Sequence, residues 1–160
     1  MNRGAPQHKV YDVQDAREAI RRYCAYQERS QHEVSEKLQS MGLIPMVVDL
    51  LMVELIEEGY VNELRFAEAF ARGRFRQKGW GRLKIKDKLF QRKISQACIQ
   101  LALESIDDDE YLDQLRQLAM WKWEKVKAPN DFVRRQKVMG FLYQRGFEYD
   151  LIRDVTSDIQ

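Results

Sequence analysis

The chain has 160 residues, 44% of them hydrophobic and 32% charged, with a net charge of +2. That share of core formers excludes a disordered chain, and no apolar run approaches the roughly 20 residues needed to span a bilayer. Met1 to Lys9 lacks the apolar stretch of a secretory signal, and Cys24 and Cys98 sit at apolar positions of helical patterns, which suits buried free thiols in a reducing cytosol.

Residues 1–10, with Gly4 and Pro6, are expected to fray. Val13, Ala16, Ile20, Tyr23 and Gln27 then follow at helical spacing, with one polar member at the end. Ser30 with Glu33 forms a capping box that opens a second helix, because two backbone donors otherwise without partners gain acceptors. Gly42 suits the left-handed position that ends it. Pro45 fits the first turn of a third helix, where a missing N–H costs nothing. That helix turns Val48, Leu51, Met52 and Leu55 inward and stops at Gly59. Asn62 is a good N-cap for a fourth, with Phe66, Ala67 and Phe70 on its inner face. Gly79-Trp80-Gly81 breaks the chain before a basic helix over residues 82–92, and Ser95 caps the next, which carries Cys98, Ile99 and Ala102. The acidic run at residues 107–110 complements the positive end of a helix with Leu112, Leu115, Leu118, Ala119 and Val126 as its stripe. Trp121 and Trp123, two residues apart, cannot both face inward on it. After Ala128-Pro129-Asn130, helices are predicted over 132–144 and 148–158.

One apolar pattern recurs through these elements. Val34, Leu38, Gly42-Leu43 and Val47-Val48 match Ile85, Leu89, Lys93-Ile94 and Cys98-Ile99 at an offset of 51, and Val138, Leu142, Gly146-Phe147 and Leu151-Ile152 at a further 53. A period near fifty means stacked supersecondary units. With no sustained period-two alternation, the expected fold is all-α: three tandem three-helix repeats at residues 11–60, 61–106 and 107–160, forming an elongated, curved array.

Catalytic or metal chemistry finds little footing. His8 lies in the tail and His32 in a capping box, neither at metal-ligand spacing. Gly79-x-Gly81 follows a helix and lacks the Gly-Lys-Ser/Thr of a phosphate loop. Glu54, Glu57 and Glu58 have no second cluster to complete an oxygen cage. No enzyme activity, cofactor or metal is expected.

The charge is unevenly spread. Residues 72–93 hold ten basic side chains against one acid, Asp87, a balance of +9 where the rest of the chain carries −7. On the helix from Asn62, Arg65, Glu68, Arg72 and Arg76 lie opposite the apolar face. On the next, Ile85, Leu89 and Phe90 are expected to point inward, leaving Lys84, Asp87, Lys88 and Gln91 outermost, flanked by Arg92. Ordinary helix surfaces mix signs, and this one barely does. The surface expected to meet a partner is therefore Arg65, Arg72, Arg76, Lys84, Lys88 and Arg92, with Arg74, Lys78, Arg82, Lys86 and Lys93 as secondary candidates. Cations within a Debye length, about 8 Å at physiological salt, share one field that attracts nucleic acid or an acidic protein surface.

The run Glu57-Glu58-Gly59-Tyr60-Val61-Asn62-Glu63-Leu64-Arg65-Phe66-Ala67, continuing through Phe70, Arg72, Arg74, Gly79-Trp80-Gly81 and Ile85-x3-Leu89, resembles the RecX family of recombination regulators. So does Arg29-Ser30-x2-Glu33-Val34-x2-Lys37-Leu38-x3-Gly42. Two departures, Arg82 where relatives have Pro and Lys93 where they often have Gly, each add a cation. The resemblance implies a small monomeric regulator in the bacterial cytoplasm, built from three-helix repeats. It implies binding in the groove of a RecA-type recombinase filament on single- or double-stranded DNA, which limits ATP hydrolysis and strand exchange. The alternatives are a stand-alone DNA-binding helical module and a helical-repeat adaptor for an acidic protein.

Overall fold

The computed structural model describes residues 11–159, so the expected frayed tail at 1–10 lies outside the described residues. Among the described residues the regular structure is helical: α1 (Val13–Tyr26), α2 (Gln31–Ser40), α3 (Pro45–Glu57), α4 (Glu63–Lys78), α5 (Arg82–Gln91), α6 (Gln96–Glu104), α7 (Asp108–Lys125), α8 (Asp131–Gln144) and α9 (Tyr149–Ser157). None of these helices is long and apolar enough to cross a membrane. They divide into two compact units, one ending at Phe66 and the other beginning at Ala67.

In the first unit α1, α2 and α3 pack pairwise around Ala16, Ile20, Cys24, Val34, Leu38, Val48, Leu51 and Leu55. Local chemistry sets the helix ends. Asp12 accepts from the Asp15 N–H at 2.7 Å, and Ser30 and Glu33 close the capping box at 3.1 and 2.8 Å. Pro45 opens α3, and Gly42 and Gly59 take left-handed φ of 78° and 76°. Two forked ion pairs tie α1 to α3: Arg17 to Glu54 at 2.8 and 3.1 Å, and Arg21 to Glu58 at 3.0 and 2.6 Å. The hydrogen bonds from Arg17 hold the Glu54 carboxyl below its ordinary range. These acids brace two helices. The α1 stripe differs from expectation: Val13 is exposed and Gln27 is the extended C-cap, so the buried line is Ala16, Ile20 and Cys24. Burial pushes the Cys24 thiol up to about 11, which keeps it protonated and unreactive.

In the second unit α7, α8 and α9 pack pairwise, and α5 lies on α6. Tyr111 on α7 is its hub. The ring is buried and packs against Phe75 and Phe147, with centroids 5.6 and 5.2 Å away. Its hydroxyl accepts from the Arg82 backbone N–H at 3.0 Å and donates to Glu148 at 2.5 Å. The turns on either side of this hub meet backbone to backbone. The Gly81 N–H donates to the Arg145 carbonyl at 2.8 Å, and the Leu83 N–H to that of Gly146 at 3.0 Å. Arg145 in turn donates to the Lys78 carbonyl. A Cβ on Gly81 would overlap the Gly146 carbonyl, and one on Gly146 would overlap the Lys84 backbone.

Three inward assignments change in this unit. Phe90 is 72% exposed rather than inward: Ile85 and Leu89, one turn apart, take the buried face, and Phe90 lies about 100° further round. Phe70 is only half-buried, while Ala67, Ala71 and Phe75 form the buried line of α4. On α7 the deepest residues are Tyr111, Leu115, Ala119 and Trp123, with Leu112, Leu118 and Val126 at the margin and Trp121 exposed.

Candidate functional site

The cations of α4 fall into two rows with different fates. Arg65, Arg72 and Arg76 share one row with Glu68, and each has a carboxylate. In the first unit Arg65 contacts Glu28 at 2.5 Å and donates to the Gly59 carbonyl at 2.9 Å, which closes the turn that ends α3. In the second, Arg72 lies 3.8 Å from Glu68, and Arg76 forks onto Glu110 at 2.9 and 3.1 Å. Hydrogen bonding to Glu110 raises the Arg76 pKa, so its charge is tied to α7. Arg65 and Arg76 thus each have a carboxylate partner within the fold, which the sequence did not show. A guanidinium forked onto a carboxylate has its charge matched within the fold, which weakens its pull on an anionic ligand.

The other row, Phe70, Arg74 and Lys78, repeats every four residues and so forms one ridge. Phe70 meets Trp80 of the Gly79-Trp80-Gly81 turn edge to face, with centroids 6.5 Å apart at 64°. The cations collect on these two rings. Arg74 lies 4.9 Å from the Phe70 centroid and 5.4 Å from that of Trp80. From α5 and its end, Lys84 lies 4.8 Å from Trp80 and Arg92 4.7 Å from Phe70, while Lys78 reaches Trp80 at 6.0 Å. The Lys88 carbonyl accepts from Arg92 at 3.3 Å, while the Lys88 ammonium donates to Gln91 at 3.4 Å and touches neither ring. A ring face attracts a cation through its quadrupole without cancelling the charge. The result is a dense positive field on a semi-rigid aromatic floor, with arginine forks matched to phosphate or carboxylate oxygens.

Lys84 and Arg92 of the expected surface therefore belong to this cluster, Lys88 stands one turn before Arg92 outside it, and Arg74 and Lys78 join from the secondary set. Arg82 does not: it stacks 4.1 Å over Tyr111 and donates to Asp108 at 2.7 Å and to the Ile106 carbonyl at 3.1 Å. Lys86 lines an apolar groove of about 390 Å³ with Leu83, Phe90, Ile94 and Ile99. Lys93 is exposed and takes a left-handed φ of 59°, where the repeat elsewhere has Gly. The aromatic half of the cluster escaped the sequence reading, which turned Phe70 inward and treated Trp80 as a turn residue. The available signal was the four-residue spacing of Phe70, Arg74 and Lys78 leading into Trp80.

Family models for the second and third three-helix domains of RecX match residues 62–103 and 108–156. The regulatory protein RecX of Pseudomonas fluorescens strain Pf-5 is 32% identical over 152 residues, covering 91% of this chain and 94% of its own. The chain belongs to the RecX family. Regulatory protein RecX of Halorhodospira halophila is 33% identical over 141 residues, covering 88% of this chain and 86% of its own. The fold matches the crystal structure of RecX from Lactobacillus salivarius with a TM-score of 0.83 at 23% identity, over 91% of this chain and 95% of that one. A second RecX crystal structure matches with a TM-score of 0.79 at 19% identity, over 91% and 74%. These RecX relatives carry the name of a regulatory protein.

Proposed function

We propose that this RecX-family chain binds a RecA-type recombinase filament on DNA, seats itself in the filament's groove and limits ATP hydrolysis and strand exchange, so modulating recombination and repair. It acts as a monomer in the bacterial cytoplasm, as three consecutive three-helix repeats. Family membership supports the target. The observation that carries the contact is the gathering of Arg74, Lys84 and Arg92 on the Phe70–Trp80 pair. Prearranged guanidinium and ammonium groups suit a phosphate backbone, because their field adds before any contact is made. Lys78 and Lys88 extend that field.

The test is the ATPase rate of a recombinase on single-stranded DNA as this chain is added. Wild type lowers the rate in proportion to filament occupancy. Arg74→Glu with Lys84→Glu raises the concentration for half inhibition at least tenfold and keeps the helicity, while the melting temperature falls slightly, because each lost cation–ring contact costs about 0.5–1 kcal/mol. A wild-type chain that binds DNA but leaves the ATPase untouched would instead fit the stand-alone DNA-binding module.

A further inference from the structure

α3 has a solvent face unlike that of the other helices of its unit. Val48, Leu51 and Leu55 face the core. On the opposite side Met46, Leu50 and Val53 follow one another at i, i+4 and i+7, with Ile44 and Ile56 beside them. Met46 is 76% exposed and the other four between 42% and 61%. A surface helix ordinarily turns polar residues outward, and a grouped exposed apolar patch marks an interaction surface. Its charges are acidic. Asp49 and Glu57 share this face and are exposed, whereas Glu54 and Glu58 are taken up by Arg17 and Arg21.

We infer that this α3 face is the protein-binding surface of the chain and docks on a recombinase subunit through an apolar patch bordered by lysine or arginine. The inference rests on the filament reading above and divides its labour: the cation–aromatic cluster meets DNA phosphates, and α3 meets protein. Charge complementarity selects the occupant. Asp49 and Glu57 repel a phosphate backbone, and an antiparallel pairing of α3 with a second copy would set carboxylates against carboxylates. A basic-rimmed apolar patch satisfies both the side chains and the acids.

The experiment measures binding to a preassembled recombinase–single-stranded DNA filament and, separately, to bare single-stranded DNA. Leu50→Glu with Val53→Glu weakens filament binding at least tenfold and leaves bare-DNA binding unchanged; Asp49→Lys with Glu57→Lys also weakens filament binding, by charge alone, and Leu50→Met, which keeps the apolar surface, binds the filament as wild type does. Circular dichroism melts of each variant match wild type, since the changed positions are exposed. Full filament affinity in the Leu50→Glu, Val53→Glu variant overturns the α3 surface while sparing the filament reading. A wild-type chain that does not bind the filament overturns both. A wild-type dimer that the same variant splits assigns the face to a second copy and overturns the proposal.

Discussion

Tyr111 stands between three elements, with its hydroxyl holding the first N–H of α5 on one side and Glu148, the N-cap of α9, on the other. Burial first, and then the hydrogen bond to Glu148, push its pKa far above that of an ordinary phenol, so it stays a neutral donor at any physiological pH. Tyr111→Phe keeps the ring contacts but leaves the Arg82 N–H without this acceptor and the Glu148 carboxylate without this donor. Leaving buried polar groups unpaired costs about 1–3 kcal/mol. Urea unfolding of the variant should show that loss at an unchanged m-value; a loss under about 0.5 kcal/mol would mean that water replaces the hydroxyl. None of this was legible in the sequence, because the partners of Tyr111 lie 29 and 37 residues away. The same distance problem hid Arg65, whose carboxylate partner is Glu28.

Elements were more legible than residues where their chemistry is local. Ser30 with Glu33, Pro45, Asn62 and Ser95 each act on backbone groups within a few positions, and each is found at the helix start its type suggests. The repeat register located the left-handed positions too: Gly42 and Gly146 hold them as glycine, and Lys93 holds the third with a side chain. The faces of α4 and α5 were harder, because a period of 3.6 leaves Phe70 and Phe90 at the margin of the apolar sector, where only the neighbouring helix decides. The contact between the α4–α5 and α8–α9 turns was invisible for a different reason: it is made by backbone groups of Gly81, Leu83, Arg145 and Gly146, whose pairing no side-chain pattern records. Gly81→Ala should force those turns apart at a cost of about 1–3 kcal/mol, the usual range for overpacking, and Gly146→Ala should cost at least as much because its φ of 90° is also strained by a side chain. Gly73→Ala and Gly140→Ala, in helix interiors with open space around the added carbon, should instead stabilise by about 0.5–1 kcal/mol. Thermal melts of the four variants separate the two groups, and equal behaviour would remove any role for the turn-to-turn contact. Because Gly81 follows Trp80 directly, the destabilised pair should also lose inhibition of the recombinase before they lose helicity.

At the scale of the molecule, the segregation of +9 in one stretch against −7 elsewhere is partly spent inside the fold, since Arg72, Arg76 and Arg82 take carboxylates of Glu68, Glu110 and Asp108. The positive charge not matched in this way sits on the cations over Phe70 and Trp80 and on their neighbours on α5, the surface proposed to meet DNA. Electrostatic binding to single strands weakens with a slope of roughly −0.7 per phosphate neutralised in a plot of log affinity against log salt. Four contacts, from Arg74, Lys84, Lys88 and Arg92, therefore give a slope near −3 for bare single-stranded DNA. Apolar burial on α3 carries no such penalty, because the hydrophobic effect is not screened by simple salt. The chain should thus keep substantial affinity for a preassembled filament in salt that has already abolished its binding to the bare strand. Arg74→Glu with Lys84→Glu should flatten the bare-strand slope by about half, and Leu50→Glu with Val53→Glu should steepen the filament slope toward the bare-strand value. Parallel loss of both bindings in wild type would mean that phosphate contact alone holds the chain to its target, and the division between a nucleic-acid surface and a protein surface would fall with it.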